Sequence, residues 1–115
     1  MTDDADLLDL DDAGFRQIFA GSPIKRIGRD RMVRNALIAA GNSARAELVP
    51  AVVRLLDDPA PVVRGAAIWA LSRLAPARLA IEHAARIGAE KDELVRSEWL
   101  AHFADMRSQV YAPAA

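Results

Sequence analysis

Apolar residues recur every three or four positions along most of this chain, which is the spacing of one face of an α-helix. The stretch PVVRGAAIWALSRL, residues 61–74, shows this pattern most clearly. Its apolar stripe consists of Val63, Ala66, Ala67, Ala70, Leu71 and Leu74. The preceding segment, AELVPAVVRLL, has a similar stripe. Because proline is tolerated only in the first turn of a helix, Pro50 predicts that this helix begins near Glu47.

The same spacing predicts four more helices, which complete three antiparallel pairs. The first pair is DDAGFRQIFAG with GRDRMVRNALIAAGN, and the third is PARLAIEHAARIG with EKDELVRSEWLAHFADM, divided at Gly88. Helices this rich in alanine cannot bury their stripes alone, so adjacent pairs must stack. We therefore expect an all-α fold, a short α-solenoid of about three helix pairs. The stop signals in the first pair are Gly21, Ser22 and Pro23 after its first helix, and Gly41 and Asn42 after its second.

Three segments of the chain are related to one another as repeats. VRNALIAA, VRGAAIWA and VRSEWLAH begin at Val33, Val63 and Val95, so they lie 30 and 32 residues apart. The middle unit resembles the HEAT repeat, a helix pair with conserved spacing. The residues that carry this resemblance are Asp58, Pro59, Val63, Arg64, Ala67, Ala70 and Leu71. The resemblance implies that the arginine after each valine, at positions 34, 64 and 96, joins a ladder with acidic residues of a neighbouring unit.

Composition narrows the chemistry of the chain. It has 115 residues and no cysteine, which excludes disulfides, cysteine-ligated zinc, a thiolate nucleophile and cysteine-held iron–sulfur clusters within it. No serine–histidine–aspartate constellation, phosphate-binding loop or carboxylate pair emerges, so we expect no catalytic residue and no small-molecule substrate. No apolar run approaches about 18 residues, and the N-terminus is acidic. We expect a cytoplasmic protein without a membrane partner.

The formal net charge of −1 conceals a basic block. Residues 1–14 hold six aspartates and no base, whereas residues 15–54 hold eight bases and two acids. Five of those bases lie in the stretch GSPIKRIGRDRMVRN. We predict that Lys25, Arg26 and Arg29 occupy an exposed loop and that a helix begins near Arg29. Helical spacing then turns Arg31, Arg34, Asn35 and Ile38 outward, while the stripe from Met32 to Ala40 faces the core. The candidate nucleic-acid contacts are Lys25, Arg26, Arg29, Arg31, Arg34 and Asn35.

Such a basic face is typical of a phosphate-binding surface. The alternative is a solvated helix start that the acidic N-terminus neutralises. Two observations weaken this alternative. Cations at a helix N-terminus oppose the helix dipole, and Asp30 is the one acid available locally.

The basic stretch is also part of a longer resemblance. FRQIFAGSPIKRIGRDRMVRNALIAAGNS resembles the segment that follows the iron–sulfur domain in epoxyqueuosine reductases, which act in tRNA queuosine biosynthesis. The resemblance covers roughly Leu7 to Leu74. The positions that match are Phe15, Phe19, Gly21, Ser22, Ile24, Lys25, Arg26, Arg34, Asn35, Ile38, Ala39, Gly41 and Asn42.

This resemblance implies a C-terminal helical domain of such an enzyme, as a fragment or a split-off protein. In the family, cobalamin and two 4Fe–4S clusters reside in other domains, so no cofactor is expected in this chain. The expected partners are the anticodon stem–loop of tRNA and the catalytic domains of a reductase, in cis or in trans. The competing interpretation is a HEAT-like module for protein–protein interaction, which would use an apolar patch in place of the basic segment.

The remaining candidates have simpler interpretations. His83 and His102 lie 19 residues apart, with no carboxylate at metal-ligand spacing beside both. The acidic run DDADLLDLDD lacks the glycine and terminal glutamate of a calcium loop. Trp69 and Trp99 fall on helix stripes, which favours core or inter-unit packing over base stacking. We expect a flexible acidic lead over residues 1–10, a single helical domain over 11–107 and a flexible tail over 108–115.

Overall fold

The computed structural model describes residues 26–102 and consists of helices joined by short connections. The helices are α1 (Arg26–Ser43), α2 (Val49–Leu55), α3 (Pro61–Leu74), α4 (Pro76–Arg86) and α5 (Glu93–Ala101), with a 3₁₀ turn at Ala46–Leu48 before α2. No strand occurs in this part of the chain. The predicted all-α class is confirmed, and α3 has the bounds that its apolar stripe predicted.

Several expectations fall outside the described residues. They concern the acidic lead, the first helix of the first pair, the stop signal at Gly21, Ser22 and Pro23, the side chains of Lys25 and Arg26, and the tail. Within residues 26–102 the second and third pairs are complete, formed by α2 with α3 and by α4 with α5. The helix α1 supplies the second member of the first pair.

The starts of the helices follow from local chemistry. Proline occupies the first turn of α2, α3 and α4, where its missing N–H has no intrahelical partner. Before α3, the Asp58 carboxylate accepts a hydrogen bond from the Ala60 N–H at 2.9 Å. Asp92 caps α5, because its side chain accepts a hydrogen bond from the Val95 N–H at 3.0 Å.

The end of α1 differs from the sequence prediction. Gly41 and Asn42 do not stop this helix, which continues to Ser43. Ala44 then adopts a φ of 57°, the left-handed conformation that usually closes a helix at glycine. Gly41 instead allows close packing. A Cβ atom at this position would lie 2.5 Å from Cζ3 of Trp69 and 3.2 Å from the Cα of Ala70.

The core is built around α3, which contacts α1, α2, α4 and α5. Val63, Ala67, Ile68, Ala70 and Leu71 of α3 are completely inaccessible to solvent. The other helices contribute Val33 and Leu37 from α1, Val52 from α2, Leu79 from α4 and Trp99 from α5. The stacking of alanine-rich pairs therefore buries the stripes that define the repeat. Within the described residues, none of the helices combines the length and the apolar character needed to cross a membrane.

Candidate nucleic-acid interface

The basic segment divides into buried and exposed arginines on α1. This helix begins at Arg26, three residues before the predicted start. The earlier start turns the side chain of Arg29 inward, and its residue exposure is 4%. The prediction that Arg29 lies in an exposed loop is therefore wrong. By contrast, Arg31, Arg34 and Asn35 are exposed, as the helical spacing predicted.

Arg29 is held by an ion pair that crosses one repeat. Its Nη2 lies 2.8 Å from Oδ1 of Asp58, and its Nη1 lies 3.1 Å from Oδ2 of the same carboxylate. Nη1 also donates to Oδ1 of Asp30 at 3.0 Å. Burial alone would lower the pKa of Arg29, but the hydrogen bonds to the two carboxylates outweigh it, so its pKa is raised. The Arg29 guanidinium thus holds the loop before α3 in place, and the carboxylates of Asp58 and Asp30 compensate its charge.

The exposed arginines of α1 have a different environment. Among the described residues, neither Arg31 nor Arg34 forms an ion pair with a carboxylate. They are neighbours at helical spacing, and Asn35 follows them. Their charges and the Asn35 amide are therefore available to a ligand approaching this side of α1. We call this surface, made of Arg31, Arg34 and Asn35, the α1 basic face.

The predicted arginine ladder is present in one of its three positions. Arg64 makes two hydrogen bonds with the Glu90 carboxylate, Nε–Oε1 at 2.8 Å and Nη2–Oε2 at 2.9 Å. Its Nη1 also donates to the carbonyls of Asp58 and Pro59. The pKa of Glu90 is lowered, and the largest cause is the hydrogen bonds that Arg64 donates to its carboxylate. Arg64 therefore links the second repeat to the loop of the third.

The other two ladder positions behave differently. Arg96 donates to the carbonyls of Ile87 at 3.0 Å and Glu90 at 2.9 Å, so it closes a loop, and it pairs with no acid between residues 26 and 102. Arg34 makes neither type of contact within the described part of the chain. Equivalent arginines in the three repeats thus differ in their partners, although their sequence context is the same.

Two ion pairs that sequence reasoning missed connect successive repeats. Asp58 pairs with Arg29, and Asp57 pairs with Arg86, whose Nε and Nη2 each lie 2.9 Å from a carboxylate oxygen. Both pairs join residues 29 positions apart. A search for opposite charges separated by about one repeat would have found them.

His83, Trp99 and His102 contact other side chains of the fold. Trp99 is 1% exposed, and its ring meets that of His83 edge-on, with the centroids 5.3 Å apart. Burial lowers the pKa of His83. Nε2 of His102 lies 3.0 Å from Oε1 of Glu98. Across the described residues, no group of three or more potential ligands is placed to hold a metal ion.

Comparison with known proteins shows the family to which this chain belongs. The family model that describes HEAT-repeat sequences matches residues 29–102, which is more than half of the chain. The chain belongs to the HEAT-repeat family. This assignment explains why the equivalent helices α1, α3 and α5 stack side by side, and it confirms the resemblance that residues 58–71 predicted.

Two curated relatives of this HEAT-repeat chain are epoxyqueuosine reductases. The protein from Bacillus subtilis is 30% identical over 93 residues, covering 80% of this chain and 24% of its own length. The protein from Alicycliphilus denitrificans is 35% identical over 77 residues, covering 60% of this chain and 21% of its own. The predicted resemblance to epoxyqueuosine reductases is thereby confirmed. The chain spans less than a quarter of these relatives.

A solved structure agrees with the sequence relatives. It is a crystal structure of epoxyqueuosine reductase with an epoxyqueuosine-modified stem loop of tRNA-Tyr. Its match covers 90% of this chain and 28% of that one, with a TM-score of 0.76 and 27% identity. The described HEAT repeats are therefore similar in fold to part of a tRNA-bound enzyme. The chain itself has no cysteine, so its residues do not fit a 4Fe–4S cluster.

Proposed function

We propose that this chain acts as the non-catalytic helical-repeat domain of an epoxyqueuosine reductase and helps bind the anticodon stem–loop of tRNA. The observation that carries the proposal is the α1 basic face, whose arginines are exposed and have no carboxylate partner among the described residues. Cationic side chains of this kind bind phosphates by releasing condensed counterions. The similarity to a reductase solved with a tRNA stem loop supports RNA as the source of those phosphates.

In this proposal the chain contributes binding, while catalytic domains in cis or in trans contribute the reduction and its cofactors. Arg31 and Arg34 contact phosphates, and the Asn35 amide hydrogen-bonds the backbone or a base edge. Lys25 and Arg26 extend the contact on the N-terminal side of α1. Arg29 takes no part, because its guanidinium pairs with Asp58. This role would place the chain in the cytoplasm, together with tRNA.

The test is a salt titration of the affinity of the whole chain for a tRNA-Tyr anticodon stem–loop. We expect Arg31→Glu and Arg34→Glu each to weaken binding and to reduce the slope of log K against log salt by about one. Lys91→Glu is the matched control, since Lys91 is exposed in the connection between α4 and α5 and undergoes the same change of charge. It should leave both quantities nearly unchanged.

Further variants and melting temperatures complete the experiment. The double variant Lys25→Glu/Arg26→Glu tests the basic residues before Ile27. The melting temperature should change little in the α1 variants, because exposed charges alter stability by about 0.5 kcal/mol or less. Equal affinities and equal salt slopes in all of these variants would remove the RNA role of the segment.

A further inference from the structure

A shallow groove runs across the three equivalent helices α1, α3 and α5. Its volume is about 660 Å³. Gly65 and Ala66 of α3 lie between Ile38 of α1 and Leu94 of α5 along this surface. We call it the α3 groove. Its lining also includes Arg34, Val62, Trp69, Asp92 and Glu98.

The α3 groove collects large apolar side chains that remain accessible. Ile38 is 36% exposed, Val62 48% and Leu94 82%. A single exposed aliphatic residue is ordinary on a protein surface. Here, one from each of three helices lines the same concave strip, together with the half-buried Trp69. These three side chains share one strip and are not scattered singly, so the strip is suited to an apolar partner surface.

Charges on the two sides of the α3 groove have opposite signs. Arg34 stands on the α1 side, while Asp92 and Glu98 stand on the α5 side. The carboxylates would repel a phosphate backbone that lay across the strip, so RNA is a poor occupant. A second copy of this chain also fits badly, since two concave grooves placed face to face would leave both floors uncovered.

We propose that the α3 groove binds an amphipathic α-helix of a partner protein. The apolar stripe of that helix lies along α3, where Gly65 and Ala66 permit close approach of its backbone. Acidic side chains on one flank pair with Arg34, and basic side chains on the other pair with Asp92 and Glu98. The proposal goes beyond tRNA binding and does not depend on it, because it concerns a different partner.

Defined peptides test this chemistry on the whole chain. Three helical peptides of about 15 residues, roughly 22 Å long, share one stripe of leucine and alanine. The first has glutamate on one flank and lysine on the other, the second has glutamate on both, and the third has lysine on both. Titration calorimetry should show the mixed peptide binding about tenfold more tightly than either single-sign peptide.

Variants of the chain locate the binding. Gly65→Leu fills the floor of the groove, and it should leave the fold intact because a Cβ at this position meets no atom within 4 Å. We expect it to weaken binding of the mixed peptide by about tenfold or more. Gly88→Leu adds the same side chain outside the groove, where a Cβ also meets no atom within 4 Å, and should bind normally. Glu98→Lys should shift the preference toward the peptide with glutamate on both flanks.

Four outcomes would overturn the proposal. The first is equal binding of the three peptides, and the second is equal binding by wild type and Gly65→Leu. A third is self-association in sedimentation equilibrium that Gly65→Leu abolishes, which would make a second copy the occupant. A fourth is a loss of tRNA stem–loop affinity in Gly65→Leu without any effect on the peptides, which would assign the groove to RNA. Loss of tRNA binding in the α1 variants alone would bear only on the proposed function.

Discussion

Arg29 and Arg31 lie two residues apart on α1, yet their surroundings differ completely. Arg29 is buried and paired with Asp58, whereas Arg31 faces solvent. Desolvating a guanidinium is costly, and the bidentate carboxylate with its additional hydrogen bond to the Ala60 N–H compensates for it. Removing either partner would leave an uncompensated charge in the interior.

The buried pair gives a prediction about stability. Arg29→Ala should lower the free energy of unfolding by about 3–5 kcal/mol, since it strands the Asp58 carboxylate. Arg29→Lys should recover only part of this loss, because an ammonium cannot reproduce the two parallel hydrogen bonds. The matched control is Arg31→Ala, which should change stability by about 0.5 kcal/mol or less. Urea unfolding measures all three, and similar losses at positions 29 and 31 would contradict the buried pair.

Gly41 and Gly65 give a second comparison between residues of the same type. Both lie inside helices, where replacing glycine by alanine normally stabilises by about 0.5–1 kcal/mol. Gly65→Ala should show this gain, because its Cβ meets no atom within 4 Å. Gly41→Ala should instead destabilise by about 1–3 kcal/mol, since its Cβ would overlap Trp69 and press on Ala70. Thermal melts of the two variants should therefore shift in opposite directions, and a shared direction would refute the close packing of α1 on Trp69.

At the scale of the helices, arginines secure the connections between neighbouring repeats. Arg64 and Arg96 donate to carbonyls of the loops that precede their own helices, and Arg64 also pairs with Glu90 in the next loop. Carbonyls at helix ends lack intrahelical partners. A long, permanently charged side chain satisfies them from outside, so the Val-Arg dipeptide recurs for a structural reason in these two repeats.

The contact between α4 and α5 gives a prediction about pH. His83 packs against Trp99, and burial lowers the pKa of His83 below its ordinary value near 6.5. His83 therefore binds a proton more tightly in the unfolded chain than in the folded one. The contribution of neutral His83 to the free energy of unfolding is fully present above its ordinary pKa. It is lost as the pH falls through the lowered folded value. The free energy of unfolding should therefore fall over an interval that begins near the ordinary pKa of about 6.5 and extends down to the lowered pKa of the folded state.

Variants identify the group responsible. His83→Gln should flatten the pH dependence in that interval, and His102→Gln should keep the part that His83 contributes. Below this interval a second loss is expected, because hydrogen bonds from Arg78 lower the pKa of Glu82 and those from Arg64 lower the pKa of Glu90. Their contribution is present above the ordinary carboxyl pKa and is lost as the pH falls through the lowered values. An unaltered pH profile in His83→Gln would contradict this assignment.

At the scale of the whole molecule, α3 is the central element, since α1, α2, α4 and α5 all contact it. Solenoids derive their stability from repeats and from the interfaces between neighbouring repeats. The helix that contacts all four of the others should therefore open only in global unfolding. Native-state hydrogen exchange should show the slowest amides in α3 and faster exchange in α5. Faster exchange in α3 than in α5 would contradict its central role.

The whole molecule also presents two different surfaces side by side. The α1 basic face carries exposed cations for the proposed tRNA contact, and the α3 groove beside it carries apolar side chains with opposite charges at its two edges. Arg34 belongs to both surfaces, so a helix bound in the groove would approach the RNA site. The variants at Gly65 and Arg31 separate the two, because each residue belongs to only one surface.

The sequence by itself determined the features that depend on neighbouring residues along the chain. Apolar spacing and the first-turn prolines specify the helices, and the repeated Val-Arg segments specify stacked HEAT pairs, since both properties are local or periodic. The tertiary structure decided which side chains meet. From its sequence context Arg29 was expected to be an exposed cation. In the structure α1 begins at Arg26, and Arg29 is buried and pairs with Asp58, 29 residues away. Gly41 looked like a helix stop until Trp69 of the next repeat filled the space beside it. The α3 groove depends on three helices from three repeats, and no local pattern encodes their packing.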